Sequence, residues 1–302
     1  MDSARPILVA GKTGQLARCL ADLGEQNQIP IVAVERPALD IEDVESIDRI
    51  MAAVMPRAVV NAAAYTAVDK AESEPECVFA VNRDGAARLA AAAARYQIPY
   101  IHISTDYVFD GRKSSPYRED DLPSPLSVYG RSKLEGELAV QQAHPAALVL
   151  RTSWMYSSYG QNFVRTMLRL AATRDKVRVV NDQNGSPTAA RDVARAILDI
   201  VSQIVEMDKQ SSGGIYHLAA TGDTTWYDFA AAIFDGWAKR GWRVPLLEPI
   251  TTADYPTPAQ RPANSRLDCT KIAQTFGIRL PLWSESLEVC LSELAVVHTE
   301  EN

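Results

Sequence analysis

Cysteine and histidine are scarce in this chain, with four of each in 302 residues. Cys19, Cys77, Cys269 and Cys290 stand far apart and form no Cys-x-x-Cys pair. That excludes a disulfide framework or a zinc ribbon as the organising device, and the thiols read as those of a reduced, cytoplasmic compartment. Four scattered histidines speak equally against a His-based metal centre, so no metal site is read from the residues. Long apolar runs are missing too, and nothing approaches the ~20 residues that a membrane helix needs. Met1 leads through Pro6 straight into a strand, without the pattern of a signal peptide. An excess of positive charge is also lacking. The formal net charge of −7 gives no electrostatic reason to expect a nucleic-acid partner. Repeats are absent, and the Ala-rich stretch near residue 90 is the only biased segment. What remains is 47% hydrophobic and 23% charged, enough for one large α/β domain or two smaller ones with a sizeable core.

Ile7-Leu8-Val9-Ala10 is a continuous apolar run, the form of a strand buried on both faces of a parallel sheet. Gly11-Lys12-Thr13-Gly14-Gln15-Leu16-Ala17 follows it and opens a helix through Cys19, Leu20 and Leu23. A tight glycine turn between strand and helix lets backbone N–H groups meet a pyrophosphate at the positive helix end. Ile31 to Val34 reads as a second buried strand, ending in Glu35-Arg36. An acid there holds the ribose 2′-OH of NAD(H), whereas an arginine welcomes the 2′-phosphate of NADP(H). The chain offers both, so the cofactor is NADPH or NADH, and a solvated charge pair is the plainer alternative for each residue. Asp40, followed by Ile41, is placed to cap the next helix, Val44 to Met55, or to face the adenine. A strand through Val59-Val60-Asn61 ends in Ala62-Ala63-Ala64-Tyr65, where small side chains leave room for a flat cofactor. Asn82 interrupts the buried side of a helix from Val78 to Tyr96, as a structural hydrogen-bonder or as part of a relay, the structural role being favoured.

A strand from Ile98 runs out into Ser104-Thr105-Asp106. Ligands of open parallel sheets bind beyond the carboxyl ends of strands, so these side chains are placed to meet a substrate carbonyl. Tyr129 and Lys133 then fall one turn apart on one face of the next helix. A phenol titrates near ~10, and a neighbouring ammonium lowers that value into the range where proton transfer is useful. Carbonyl reduction needs this, because an oxygen takes a proton as a hydride reaches its carbon. In the second half, Ala147 to Arg151 and Ile215 to Ala219 read as strands. Asn162 to Ala172 and Ala190 to Val205 read as helices, and Lys209 to Gly214 as a turn. From Thr224 onward helices dominate. The fold class is therefore α/β, a Rossmann-type doubly wound parallel sheet with a smaller, mostly helical C-terminal substrate domain. The division expected is 1–154, with 188–220 returning to it, against 155–187 and 221–302.

These stretches together resemble the extended short-chain dehydrogenase/reductases, and within them the dTDP-4-dehydrorhamnose reductase family. The segments that carry the resemblance are Gly11 to Gln15, Asn61 to Glu72, Ser104 to Phe109, Val128 to Glu137, Arg151 to Trp154, Asn162-Phe163, Asn181 to Thr188 and Tyr255 to Asp268. The resemblance implies reduction of the C4 keto group of dTDP-4-dehydro-L-rhamnose, in a monomer or homodimer whose partner is the dTDP-sugar. It implies that Gly14, Gln15, Leu16, Asp40, Ile41, Ala63, Ala64, Tyr65 and His102 line the cofactor. Thr105, Asp106, Trp154 and Asn162 would meet the sugar, with Tyr129 the proton donor and Lys133 shared between Tyr129 and the nicotinamide ribose. Arg261 and Arg266, on a proline-stiffened loop, would grip the diphosphate, since the guanidinium fork matches phosphate oxygens. Trp154 would stack on the sugar face, a core Trp being the alternative. Some members of the family dimerise around Mg2+ held by glutamates. Cys19 stands at one of those positions here and is a poor magnesium ligand, which weakens Mg2+ as a candidate. Two rivals share these features: a nucleotide-sugar epimerase or dehydratase of the same superfamily, and a non-catalytic regulatory subunit.

Overall fold

The computed structural model describes residues 5–206 and 213–300. Residues 209–212 of the expected turn lie outside them. Strands β1 (Ile7–Ala10), β2 (Ile31–Val34), β3 (Ala58–Asn61), β4 (Tyr100–Thr105) and β5 (Leu148–Thr152) join the Gly214–His217 strand in one sheet. Its order is Gly214–His217, β5, β4, β3, β1, β2, and every pairing is parallel. The apolar run of β1 is fully buried because helices cover both faces. One face carries α1 (Gln15–Gln26) and the Ala190–Glu206 helix. The other carries α2 (Val44–Val54) and the Ala86–Arg95 helix.

Two sequence expectations change here. β2 is half-buried rather than buried, because it is the sheet's edge and has a neighbour on one side alone. The helix expected over Val78 to Tyr96 is a run from Pro75 to Arg95 interrupted by a π-helical turn at Ala80–Gly85. There the Val128–Ala143 helix comes so close that a Cβ on Gly136 would lie 2.1 Å from the Asn82 carbonyl oxygen. Asn82 takes the structural role. Its Oδ1 accepts from Tyr65 N at 2.8 Å, and its Nδ2 donates to Tyr65 O and Ser132 Oγ.

A second core gathers Tyr156, Val164, Met167, Phe229, Ile233 and Leu291. The Phe163–Thr173, Trp226–Ala238 and Trp283–Glu300 helices supply most of it. It also contains the segment expected to be extended over Val177 to Asn181, a strand at Lys176–Val180, and a parallel partner that the sequence reading did not foresee, Leu246–Ile250. Trp154 and Trp226 stack at 3.6 Å between ring centroids, 10° from parallel. Among the described residues no helix is long and apolar enough to cross a membrane.

Candidate active site

Gly11 adopts φ +98°, a backbone open to glycine. A Cβ there would also press on Ala62 and Ala63 at 3.3 Å. At Gly14 a Cβ would meet nothing within 4 Å, and no side chain caps α1. The first-turn amides of α1 thus open onto unfilled space at the positive end of a helix, which fits a dinucleotide pyrophosphate. Two cavities meet at this turn. One, of about 420 Å³, has Gly11, Glu35, Arg36, Ile41, Ala64 and Tyr65 in its wall and suits an adenosine. The other, of about 550 Å³, runs from Gly14, Gln15 and Leu16 past Ala63 to Thr105, Asp106, Tyr129, Lys133 and Trp154.

Three residues expected at the adenosine end already have partners within the protein, and two of them, Glu35 and Arg36, lie in the wall there. Glu35 accepts from Thr13 N at 3.0 Å and Thr13 Oγ1 at 2.8 Å, and Thr13 holds its carboxyl below the usual range. Arg36 pairs with Asp40 and Glu42. Asp40 is outside the cavity wall and does not cap the next helix either. That N-cap is Asp43, which accepts from Glu45 N.

At the other end, Ser127 caps the Val128–Ala143 helix by accepting from Gly130 N at 3.1 Å. Gly130 sits against β4's exit so closely that a Cβ would lie 2.2 Å from the Tyr107 oxygen. Tyr129 and Lys133 therefore face the cavity beside Thr105 and Asp106. Tyr129 packs edge-on to Tyr107, with 5.8 Å between centroids. Burial and the Asp106 carboxylate push its phenol up to about 12, against a hydrogen bond shared with Thr105. Lys133 is 1% exposed, and burial brings its amine down to about 8 while Glu137 opposes the shift. Its Nζ donates to Ile103 O at 2.7 Å and lies 3.3 Å from His102 Nε2. The expectation that Lys133 depresses the Tyr129 phenol is thus not met in this geometry, because the ammonium is spent on the floor of β4 and desolvation prevails.

Asp106 is 3% exposed, and burial raises its carboxyl to about 7 despite hydrogen bonds with Ser265 and Thr105. Its Oδ2 is buried without a partner among the described residues. Ser104, placed near a substrate carbonyl by the sequence, instead donates to Glu137 Oε1 at 2.5 Å. Glu137 forms a buried pair with Arg151 at 2.6 Å. His102 is 0% exposed and lies behind Lys133 instead of on the cofactor wall.

A third cleft, of about 520 Å³, adjoins the second at Trp226. Phe163, Met167, Val177, Val179 and the Tyr255–Arg261 segment line it. Arg261 is in this wall, held bidentately by Asp69 at 3.1 and 2.7 Å. Arg266 is not. It donates to Asn264 Oδ1 and Ser114 O and so binds loop to loop. Asn162 is likewise outside these walls, capping the Phe163–Thr173 helix and donating to Ser157 O and Tyr159 O. The sequence reading missed Trp226, whose aromatic neighbour at Trp154 is remote in sequence. It also missed the Asp69 partner of Arg261. Trp154 itself holds φ +48°, a strained backbone for a bulky residue, at about 1–2 kcal/mol. Among the described residues no group of His, Cys, Asp and Glu could hold a metal ion. Burial also keeps the Cys19 thiol at about 12, so Mg2+ finds no support here.

The doubly wound sheet, its glycine turn and a Thr, Tyr and Lys gathered beyond the strand ends define an extended short-chain dehydrogenase/reductase. Residues 5–296 match the family model described as RmlD substrate binding domain. A dTDP-4-dehydrorhamnose reductase of Sinorhizobium fredii is 49% identical over 280 residues, covering 93% of this chain and 94% of the relative. That of Escherichia coli K12 is 42% identical, over 95% of this chain and 97% of its own. Among solved structures, a dTDP-4-dehydrorhamnose reductase from Clostridium acetobutylicum aligns with TM-score 0.88 at 36% identity, over 96% of this chain and 99% of that one. The Bacillus anthracis enzyme in complex with NADP aligns at 0.87 and 32%, with the same coverage. The chain belongs to the dTDP-4-dehydrorhamnose reductase family. UDP-glucose 4-epimerase from Thermotoga maritima, at 21% identity and TM-score 0.77, shares the fold alone.

Proposed function

We propose that the chain reduces the C4 keto group of dTDP-4-dehydro-L-rhamnose to give dTDP-L-rhamnose, using NADH or NADPH. One observation carries the reading. The cavity that begins at the glycine turn ends at Thr105, Tyr129 and Lys133, and there it adjoins a second, largely apolar cleft at Trp226. A dinucleotide fits the first space and a nucleotide-sugar the second, with the two reacting ends meeting at the tryptophan. Gly14, Gln15 and Leu16 would receive the pyrophosphate, and Ala63 and Ala64 leave room for the flat groups. Bound there, the nicotinamide supplies the hydride. The chain's own residues do the rest.

Thr105 donates a hydrogen bond to the substrate carbonyl oxygen and fixes its direction. Tyr129, still protonated near neutral pH, gives its proton to that oxygen as the alkoxide forms. Lys133 lies one helical turn away in the same cavity wall, where it would hold the nicotinamide ribose. Asp106 sets the local charge, since its carboxyl titrates at about 7. Arg261 faces the nucleotide cleft, where a diphosphate would compete with Asp69 for its fork. Trp154, braced on Trp226, offers an aromatic wall to the sugar.

The test is oxidation of NADH and of NADPH by purified protein supplied with the keto sugar. Stoichiometric consumption of the reduced dinucleotide is expected. Turnover without added dinucleotide, on protein that retains NAD through purification, would identify an epimerase or dehydratase. No consumption, alongside tight binding of a protein partner, would identify a regulatory subunit.

A further inference from the structure

Behind the catalytic lysine runs a line of buried polar groups that the reduction described above does not use. Ala63 N donates to Asn61 Oδ1 at 3.1 Å, which settles which end of that amide is the oxygen. Asn61 Nδ2 therefore donates to His102 Nδ1 at 3.2 Å. Burial, with Lys133 nearby, holds the His102 imidazole well below its ordinary pKa, so the ring is neutral. With Nδ1 accepting, its one proton is on Nε2. That N–H meets Lys133 Nζ at 3.3 Å, while Lys133 donates to Ile103 O at 2.7 Å. An ammonium has hydrogens alone to turn toward another N–H, whereas a neutral amine has a lone pair to accept it.

We infer that His102, oriented by Asn61, is a positioning residue for Lys133: it disfavours the ammonium form and seats the nitrogen against the Ile103 carbonyl. The remaining groups around Lys133 frame this balance. On its own helix, Glu137 favours the ammonium, although its carboxylate is shared with Ser104 and Arg151. Tyr129 shares the cavity face, as does Asp106 from the turn after β4. The Pro75–Arg95 run contributes neutral Asn82, bonded to Ser132, and an Arg83 already paired with Asp84 and Glu135. Among the described residues, His102 is thus the one group that sets a hydrogen against the lysine nitrogen.

The kinetic arm of the test rests on the reductase reading, but the spectroscopic arm does not. Protein labelled with ζ-15N-lysine, with Lys133→Arg for assignment, shows where Lys133 loses its proton; in the wild type this is expected at about 8. His102→Phe keeps a ring and removes the N–H, and the titration should move up by about one unit. His102→Gln places an amide N–H near the old Nε2 position and should leave the titration within about 0.3 unit. The alkaline limb of kcat/KM for the keto sugar should follow the same pattern. Should His102→Phe fail to fold, His102→Asn, too short to reach Lys133, takes its place. An unmoved titration in the N–H-deleted variant, or equal displacement in that variant and in His102→Gln, overturns the proposal. A wild type that does not oxidise NADH or NADPH with the keto sugar would sink the reductase reading and leave the lysine titration to decide on His102.

Discussion

Replacing Asp106 by asparagine measures what a buried carboxylate does to this fold. Burial raises its carboxyl from 3.8 to about 7. The folded chain therefore keeps a proton that the unfolded chain has released above ~4, and the associated stability is lost as pH rises through about 7. At ~1.36 kcal/mol per unit, about 4 kcal/mol disappears in all, of which about 1.4 kcal/mol goes between pH 6 and 9. Lys133 acts in reverse. Its amine, brought from 10.5 down to about 8, binds fewer protons when folded, so stability rises from pH 8 toward 10.5, by about 1.4 kcal/mol up to pH 9. In the wild type the two contributions nearly cancel over that window. Asp106→Asn removes the falling one alone. Urea unfolding at both pH values, compared at equal m, should show the variant gaining about 1.4 kcal/mol on the wild type from pH 6 to 9. Taking differences removes the titration of groups that Asp106 does not influence, and the Tyr129 phenol, which it does, titrates above this window. A variant-minus-wild-type difference that stays constant would refute the claim that burial holds the Asp106 proton.

Three further outcomes follow from the same geometry. Tyr129→Phe keeps the ring that packs on Tyr107 but loses the proton, so kcat should fall by about 10²–10⁴-fold with dinucleotide binding intact; near-normal turnover would remove Tyr129 from the mechanism. Trp226→Ala takes away the brace for Trp154 and a shared wall, and the KM for the dTDP-sugar should rise about tenfold, with a smaller change for NADH. Glu137→Gln leaves Arg151 buried without a countercharge, and chemical denaturation should show a loss of about 3–5 kcal/mol; a loss under about 1 kcal/mol would mean water reaches that pair.

Local spacing made much of this legible in the sequence. A four-residue apolar run before Gly11, small residues after Asn61, and Tyr129 one turn from Lys133 each prescribe their own geometry through backbone sterics and helical period. What remained hidden depends on which distant groups pack together. Arg266 and Arg261 look alike on their loop, yet one meets Asn264 and Ser114 and the other faces a cleft. His102 was expected on the cofactor wall from the family resemblance alone, but Asn61 and Lys133 meet its two ring nitrogens. Asn162 was readable as a helix cap, since it directly precedes an amphipathic run. The half-exposure of β2 was not, because strand order is absent from the strand's own residues.

Gly130 and Gly136 lie six residues apart on the helix that carries Tyr129 and Lys133, and each has a carbonyl oxygen where a methyl group would go. The helix is docked on its neighbours at two points through hydrogen atoms alone. That close approach sets how deep its acid and its amine sit in the cleft. Adding a single carbon at either glycine should therefore lift the whole reactive edge away from the strand ends, damaging turnover from a position that touches neither substrate nor dinucleotide.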